Sequence, residues 1–157
     1  MLPSVLTKGI SDMVVRRKLL AAAALLLTAT PLVLGPGRAQ TQPVSQTERR
    51  EILHAARAAA MRDLGKPVRF VVQNLNAENE WAFLYARMVD PNGAPLSYEG
   101  TPFAAAAQHG LKSGSYAALL RKSERGWHVL IHVVGPTDVA WVGWGQQFGA
   151  PNALFPN

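Results

Sequence analysis

The chain has 157 residues, 16 of them basic and 10 acidic, for a formal net charge of +6, and it contains no cysteine. The absent thiols exclude disulfide staples, thiolate metal sites, a cysteine nucleophile and a lipid-modified cysteine. The length fits one domain, and the positive charge raises nucleic acid as a partner, a reading that the position of the charges removes.

From Met13 the sequence "MVVRRKLLAAAALLLTATPLVLGPGRA" has a basic start (Arg16, Arg17, Lys18), an apolar run from Leu19 to Leu34, and a small-x-small ending at Gly37-Arg38-Ala39. That is the pattern of a secretory signal peptide, with cleavage expected after Ala39. The run contains Pro31 and falls short of the roughly 20 residues that cross a bilayer, which speaks against a retained anchor. Residues 1–12 are either a polar leader or the result of an upstream start codon, and Met13 is the better initiator. The Arg16-Arg17 pair loosely resembles a twin-arginine signal, although Val15 stands where Ser or Thr is usual, so ordinary secretion is the favoured route. Lys8, Arg16, Arg17, Lys18, Arg38 and Asp12 all precede the cut. Of the 16 basic and 10 acidic groups, 11 and 9 remain, a net charge of +2 that offers no phosphate-binding footprint.

Residues 40–45 are polar, carry Pro43 and read as a flexible lead into a single domain over 46–157. Without disulfides that domain stands on its core, and a chain of this size buries roughly two-thirds of its unfolded surface. Ser45 with Glu48 predicts a capping box. Ile52, Leu53, Ala56, Ala59, Ala60 and Leu64 then fall on one side of a helix, with Arg50, Glu51, His54 and Arg62 opposite. Leu64-Gly65-Lys66-Pro67 ends it, because Gly takes the left-handed conformation and Pro cannot continue.

After Pro67 the period changes to two. "VRFVVQNLNA" puts Val68, Phe70 and Val72 on one face of a strand, "WAFLYARMV" does the same for Trp81, Phe83 and Tyr85, and "AENE" is the turn between them. Asp90-Pro91-Asn92-Gly93 is a turn signal, with Pro presetting φ and Gly accepting φ > 0. Within residues 94–114 a short helix is predicted from Phe103 to His109, stopped by Gly110. "SYAALLRK" and "WHVLIHVV", joined by Ser123-Glu124-Arg125-Gly126, form a second hairpin. Strict alternation in its last strand places Trp127, Val129, Ile131 and Val133 on one face and His128, Leu130, His132 and Val134 on the other.

The fold expected from this order is α+β: an N-terminal helix packed on a four-stranded antiparallel sheet, two layers in a cystatin-like arrangement. The likeness is one of layout, which carries no function. A small domain of the cone-shaped nuclear-transport-factor-like group has a similar plan.

Chemistry-bearing residues are sparse. His128 and His132, four apart on a strand, are separated by ~13 Å, beyond the reach of one metal ion, so no metal is expected. Ser113-Gly114-Ser115 lacks a nucleophile elbow. Glu78, Glu80, Asp90 and Glu99 fall mostly in turns, where solvent accounts for their charge. The glycines near the end do not sit between a strand and a helix, so no phosphate loop is formed. No cofactor is implied.

The segment "GPTDVAWVGWGQQFGAP", Gly135 to Pro151, concentrates two tryptophans, an aspartate and four glycines. Thr137 or Asp138 can cap a short helical turn on which Trp141 and Trp144 share a side. The rings serve either as a plug against the open side of the sheet or as walls of a ligand groove with Asp138 as polar anchor; the area an indole buries favours the plug. Leu154 and Phe155 then belong to a pinned, extended surface tail.

The blocks "LGKPVRFVVQNL", "EWAFLYAR", "YAALLRK…GWHVLIHVVGPTDVAWVGW" and "FGAPNALF" together resemble an uncharacterised family of small exported proteins of Gram-negative bacteria. The resemblance spans nearly the whole segment after Ala39. It implies a periplasmic or secreted single domain and, since the family has no assigned activity, no catalytic residue.

The resulting expectation is a periplasmic, non-catalytic binding or accessory domain. Its binding residues are Asp138, Trp141, Trp144 and His132, and its partner is a small molecule or a periplasmic protein, not nucleic acid. One alternative is a hydrolase or isomerase with a cone-shaped cavity using Asp138 with His132 or Tyr85. Another is an inhibitor or chaperone-like protein acting through a sheet edge.

Overall fold

The computed structural model describes residues 44–156. The leader, the signal sequence and the cleavage position lie outside the described residues.

The first described helix, α1 (Gln46–Leu64), has the boundaries its caps dictate. Ser45 is extended (φ −61°, ψ 153°) and its hydroxyl accepts the Glu48 N–H at 3.1 Å. Gly65 is left-handed (φ 68°) and donates its N–H to the Met61 carbonyl. Only half of the expected capping box forms. The Glu48 carboxylate turns to Lys122 Nζ, 3.2 Å away on the sheet, so it fastens α1 to the hairpin instead of its own N-terminus. Ile52, Ala56, Ala59, Ala60 and Leu64 are buried, the stripe that the helical period selects.

Strands β1 (Arg69–Glu78), β2 (Trp81–Val89), β3 (Ser115–Ser123) and β4 (Gly126–Val134) form one open antiparallel sheet in the order β1-β2-β3-β4. With α1 packed on it this is an α+β fold. The β1–β2 turn is Asn79-Glu80, and Asn79 takes the left-handed conformation (φ 54°) that asparagine tolerates. At Asp90 the carboxylate accepts the N–H groups of Asn92 and Ala94, closing the expected turn over Gly93.

Two bulges correct the alternating face assignments. In β1 the pairing jumps between Val72 and Asn74, so Gln73 is extra. Phe70 and Val72 point to the helix side before it, and Leu75 and Ala77 after it. In β4 the jump leaves Leu130 extra: Leu120 faces Val129 and Leu119 faces Ile131. Trp127 and Val129 therefore share the helix side with His132 and Val134, while Ile131 and Val133 point away. One inserted residue exchanges the two faces of everything that follows it.

The helix-side core joins Ile52, Ala56, Ala60 and Leu64 to Ala82, Leu84, Ala86, Met88, Tyr116, Ala118 and Leu120. α1 lies chiefly over β4. Alanines on both partners allow a close approach, and the Tyr116 hydroxyl spans it by donating to the Ala56 carbonyl at 3.2 Å. The connection from Asp90 to Gly114 contributes Leu96 and Tyr98 to the same core. It holds the predicted short helix, α2 (Ala104–Gln108), and is tied to the end of α1 by Lys66 Nζ, which donates to the carbonyls of Ser97 (2.7 Å) and Glu99 (2.8 Å).

The sheet's other face is covered too. Trp81, Phe83, Ala117 and Leu119 form a second core with Trp144, Ala150 and Leu154. The chain end is thus a third layer and not a surface tail: Leu154 is 1% exposed within a short 3-10 turn (Asn152–Leu154), and its carbonyl accepts Asn76 Nδ2 at 2.7 Å. Apolar side chains left on an open sheet face draw the terminal segment inward.

Candidate functional site

The four sequence-selected residues separate into different environments. Trp144 is 4% exposed and stands edge-on to Phe83 with ring centroids 6.4 Å apart, a core position. Trp141 is half-buried against Phe83 (5.3 Å) and Tyr85 (5.1 Å). The structure brings these two indoles around one phenyl ring. Asp138 is exposed, and its backbone carbonyl, not its side chain, accepts a bond, from the Ala140 N–H at 3.0 Å. The expected side-chain cap at Thr137 or Asp138 does not form. Successive turns run from Asp138 to Trp144, and the short helix α3 (Trp144–Phe148) starts after Gly143 in the left-handed conformation (φ 85°).

His132 is on the helix side of the sheet. Its Nε2 lies 2.8 Å from Oδ2 of Asp63 on α1, and its ring packs 5.6 Å from that of Tyr116. Burial pushes the Tyr116 phenol well above its ordinary range; the Asp63 charge adds to this and Arg62 opposes it. A phenol so placed stays neutral and serves as a donor. Tyr85 points to the opposite face, where its hydroxyl bonds Ser115 Oγ at 3.1 Å. His132 and Tyr85, the two groups considered as partners for Asp138, are thus on opposite faces, each with another partner. His128 and His132 are likewise on opposite faces, and no group of three or more metal-ligating side chains occurs among the described residues.

The end of β4 is locked by a polar knot. Gly135 (φ 67°) donates its N–H to the Ser115 carbonyl and accepts from the Ser113 N–H. Lys112 Nζ reaches the Val134 carbonyl at 2.8 Å, the Ser113 hydroxyl bonds the Pro136 carbonyl, and Tyr98 donates to the Ser113 carbonyl. Burial raises the Tyr98 phenol to about 12. This knot sets where the Trp141 segment leaves the sheet.

Two grooves follow from the layering. The first, about 340 Å³, lies on the C-terminal layer between Trp141, Gly145, Gln146, Asn152 and Phe155. A Cβ at Gly145 would sit 2.5 Å from Asn152 Oδ1, 3.2 Å from the Ala150 carbonyl oxygen and 3.3 Å from the Phe155 ring, so a side chain there would displace Asn152 in the groove wall. The Trp141 indole Nε1 is buried without an acceptor, and Val142, 78% exposed, projects beside it. The second, about 590 Å³, runs between α1 and the β3–β4 turn, lined by Thr47, Arg50, Glu51, His54, Arg125 and Trp127.

Trp141, one of the residues singled out in the sequence, lines the first groove together with Gly145, Gln146, Asn152 and Phe155, which the inward turn of the chain end assembles and no sequence pattern marks. Sequence inspection missed the second groove. The polar pair Arg50 and His54, one helical turn apart, was its visible signal, and the bulge that puts Trp127 on the helix side was not. Among the described residues no helix is long and apolar enough to cross a membrane. No protein-family model, curated protein or solved structure matches the chain.

Proposed function

We propose that the chain is an exported periplasmic or secreted protein whose domain binds a ligand without chemistry of its own, through the groove beside Trp141. The observation that carries this is the composition of the groove: an aromatic wall, a glycine floor and two side-chain amides. Such a set suits a neutral ligand that offers hydrogen-bonding groups on one side and an apolar face on the other, a sugar ring or an uncharged peptide segment. Asp138 is dropped as an anchor and Trp144 becomes the support beneath the wall.

Export rests on the signal-peptide pattern ending at Ala39 and agrees with the resemblance to small exported proteins of Gram-negative bacteria. The helix-on-sheet plan supports the cystatin-like comparison in layout, with the difference that the C-terminal layer covers the second face. A second reading has β1 as an edge that pairs with a partner's strand. It is favoured by the exposed Val71 (43%) on a strand bonded to β2 alone in the sheet, and opposed by the Gln73 bulge, a device that blunts edges.

The test is to express the full chain in a Gram-negative host and isolate it from the periplasm. Intact-mass measurement should give a chain beginning at Gln40. Titration of the 15N-labelled product with uncharged oligosaccharides and peptides should move the Trp141 indole N–H resonance saturably and leave that of Trp144 still. An uncleaved chain confined to the cytoplasm removes the export reading, and a Trp141 resonance that no neutral ligand moves removes the groove.

A further inference from the structure

The groove between α1 and the β3–β4 turn has a different chemistry from the groove beside Trp141. Its two guanidinium groups come from separate elements, Arg50 from the second turn of α1 and Arg125 from the hairpin turn. Among the described residues neither has a carboxylate within ion-pair distance. The one side-chain bond of Arg50 is a long 3.4 Å contact to the Thr47 hydroxyl, and Arg125 bonds through its backbone N–H alone. Nearby cations elsewhere in the fold are already engaged: Arg121 pairs with Glu80 at 2.6 Å, and Lys122 pairs with Glu48 while lying 5.6 Å above the Trp127 ring. Arg49, Arg57 and Arg87 also lack ion-pair partners among the described residues, but Arg50 and Arg125 are brought from separate elements to one groove.

Trp127 supplies the second, independent observation. It lines the groove, is 8% exposed, and its Nε1 is buried without a hydrogen-bond partner. That N–H is closed off from the groove, so what the indole offers a ligand there is its apolar surface. Beside it Ala55 and the indole form an apolar wall. Glu51 lines the same groove, so two fixed positive charges face one negative, and a single negative charge on the ligand balances the site. A volume of about 590 Å³ suits a small organic molecule.

We propose that this groove binds a small organic monoanion with a flat apolar body, its carboxylate held between Arg50 and Arg125 and its ring laid along Trp127 and Ala55. Guanidinium forks grip a carboxylate through paired, charge-assisted hydrogen bonds, and the indole supplies the apolar contact. The site is independent of the groove beside Trp141, and each has its own indole reporter.

The test uses the 15N-labelled protein and 2-naphthoate as the probe. Saturable movement of the Trp127 indole N–H resonance is expected, together with the amides of Thr47, Arg50 and Arg125, while the Trp141 resonance stays in place. The neutral isostere 2-naphthalenemethanol should bind at least about tenfold more weakly, since removing a charge-assisted pair costs at least that ratio. Arg50→Gln with Arg125→Gln should weaken 2-naphthoate by a similar factor at unchanged melting temperature, and Arg125→Gln alone, at an exposed turn, should give part of the loss. Equal binding of acid and alcohol overturns the proposal. So does a double variant that binds as well as the parent, a shift pattern centred on Trp141 and Asn152, or the absence of any saturable shift.

Discussion

Trp144→Ala measures whether the chain end is a structural layer. The indole is 4% exposed and meets Phe83 edge-on within the second core. A buried indole removes roughly 200 Å² from water, and at ~25 cal/mol per Å² that is ~5 kcal/mol as an upper bound. The alanine keeps part of this, while the cavity left between Phe83, Ala150 and Leu154 adds a cost, so a loss of about 3–5 kcal/mol is expected. Against a total stability of about 5–15 kcal/mol this is a large fraction. At about 4 °C per kcal/mol for a domain of this size, the melting temperature should fall by roughly 12–20 °C. Scanning calorimetry and urea denaturation followed by far-UV circular dichroism supply both numbers. Val142→Ala, at 78% exposure three residues from Gly145, is the control and should stay within about 0.5 kcal/mol. A fall of less than about 4 °C for Trp144→Ala would refute the reasoning, because an indole that supports a core cannot be removed so cheaply.

Gly135→Ala should destabilise by more than the 1–2 kcal/mol that left-handed backbone alone costs a side chain, because its Cβ would also strike the Tyr98 hydroxyl and come within 2.9 Å of Lys112 Cδ; the urea midpoint reads it, and an unchanged midpoint disproves the knot. Stability should also fall in alkali. The unfolded phenols ionise near pH 10, whereas burial holds Tyr98 to about 12 and raises Tyr116 as well. Their contribution is therefore complete below pH 10 and is lost as pH rises through the folded value. Urea melts from pH 8 to 11.5 should show the decline, and Tyr98→Phe should make it shallower; an equal slope in the variant contradicts the assignment. Ser45→Ala, which removes the acceptor of the Glu48 N–H, should cost about 1 kcal/mol, read from the same melts, and a neutral result means that the cap is replaced by water.

Local chemistry was legible in the sequence. The caps at Ser45 and Gly65, the buried stripe from Ile52 to Leu64, the four strands and the turn at Asp90 each follow from residue types within a few positions of one another. Such features are decided by backbone conformation and side-chain period, which neighbours in sequence control. The bulges at Gln73 and Leu130 were not legible. A period-two pattern carries no mark of an inserted residue when apolar side chains occupy both faces, as they do in "WHVLIHVV".

The larger consequences came from tertiary structure alone. The β4 bulge turned His132 toward Asp63 and away from the face that holds Tyr85, and it set Trp127 beside α1 to wall a groove with Arg50 and Arg125. The C-terminal segment carried its tryptophans openly, yet which indole became core and which became wall depended on Gly143 and Gly145 and on Asn76 capturing the Leu154 carbonyl. By itself the sequence determined what each segment is, because segments are built from neighbours. The fold decided which faces meet, because a groove joins residues as far apart as Arg50 and Arg125, and only packing brings them together.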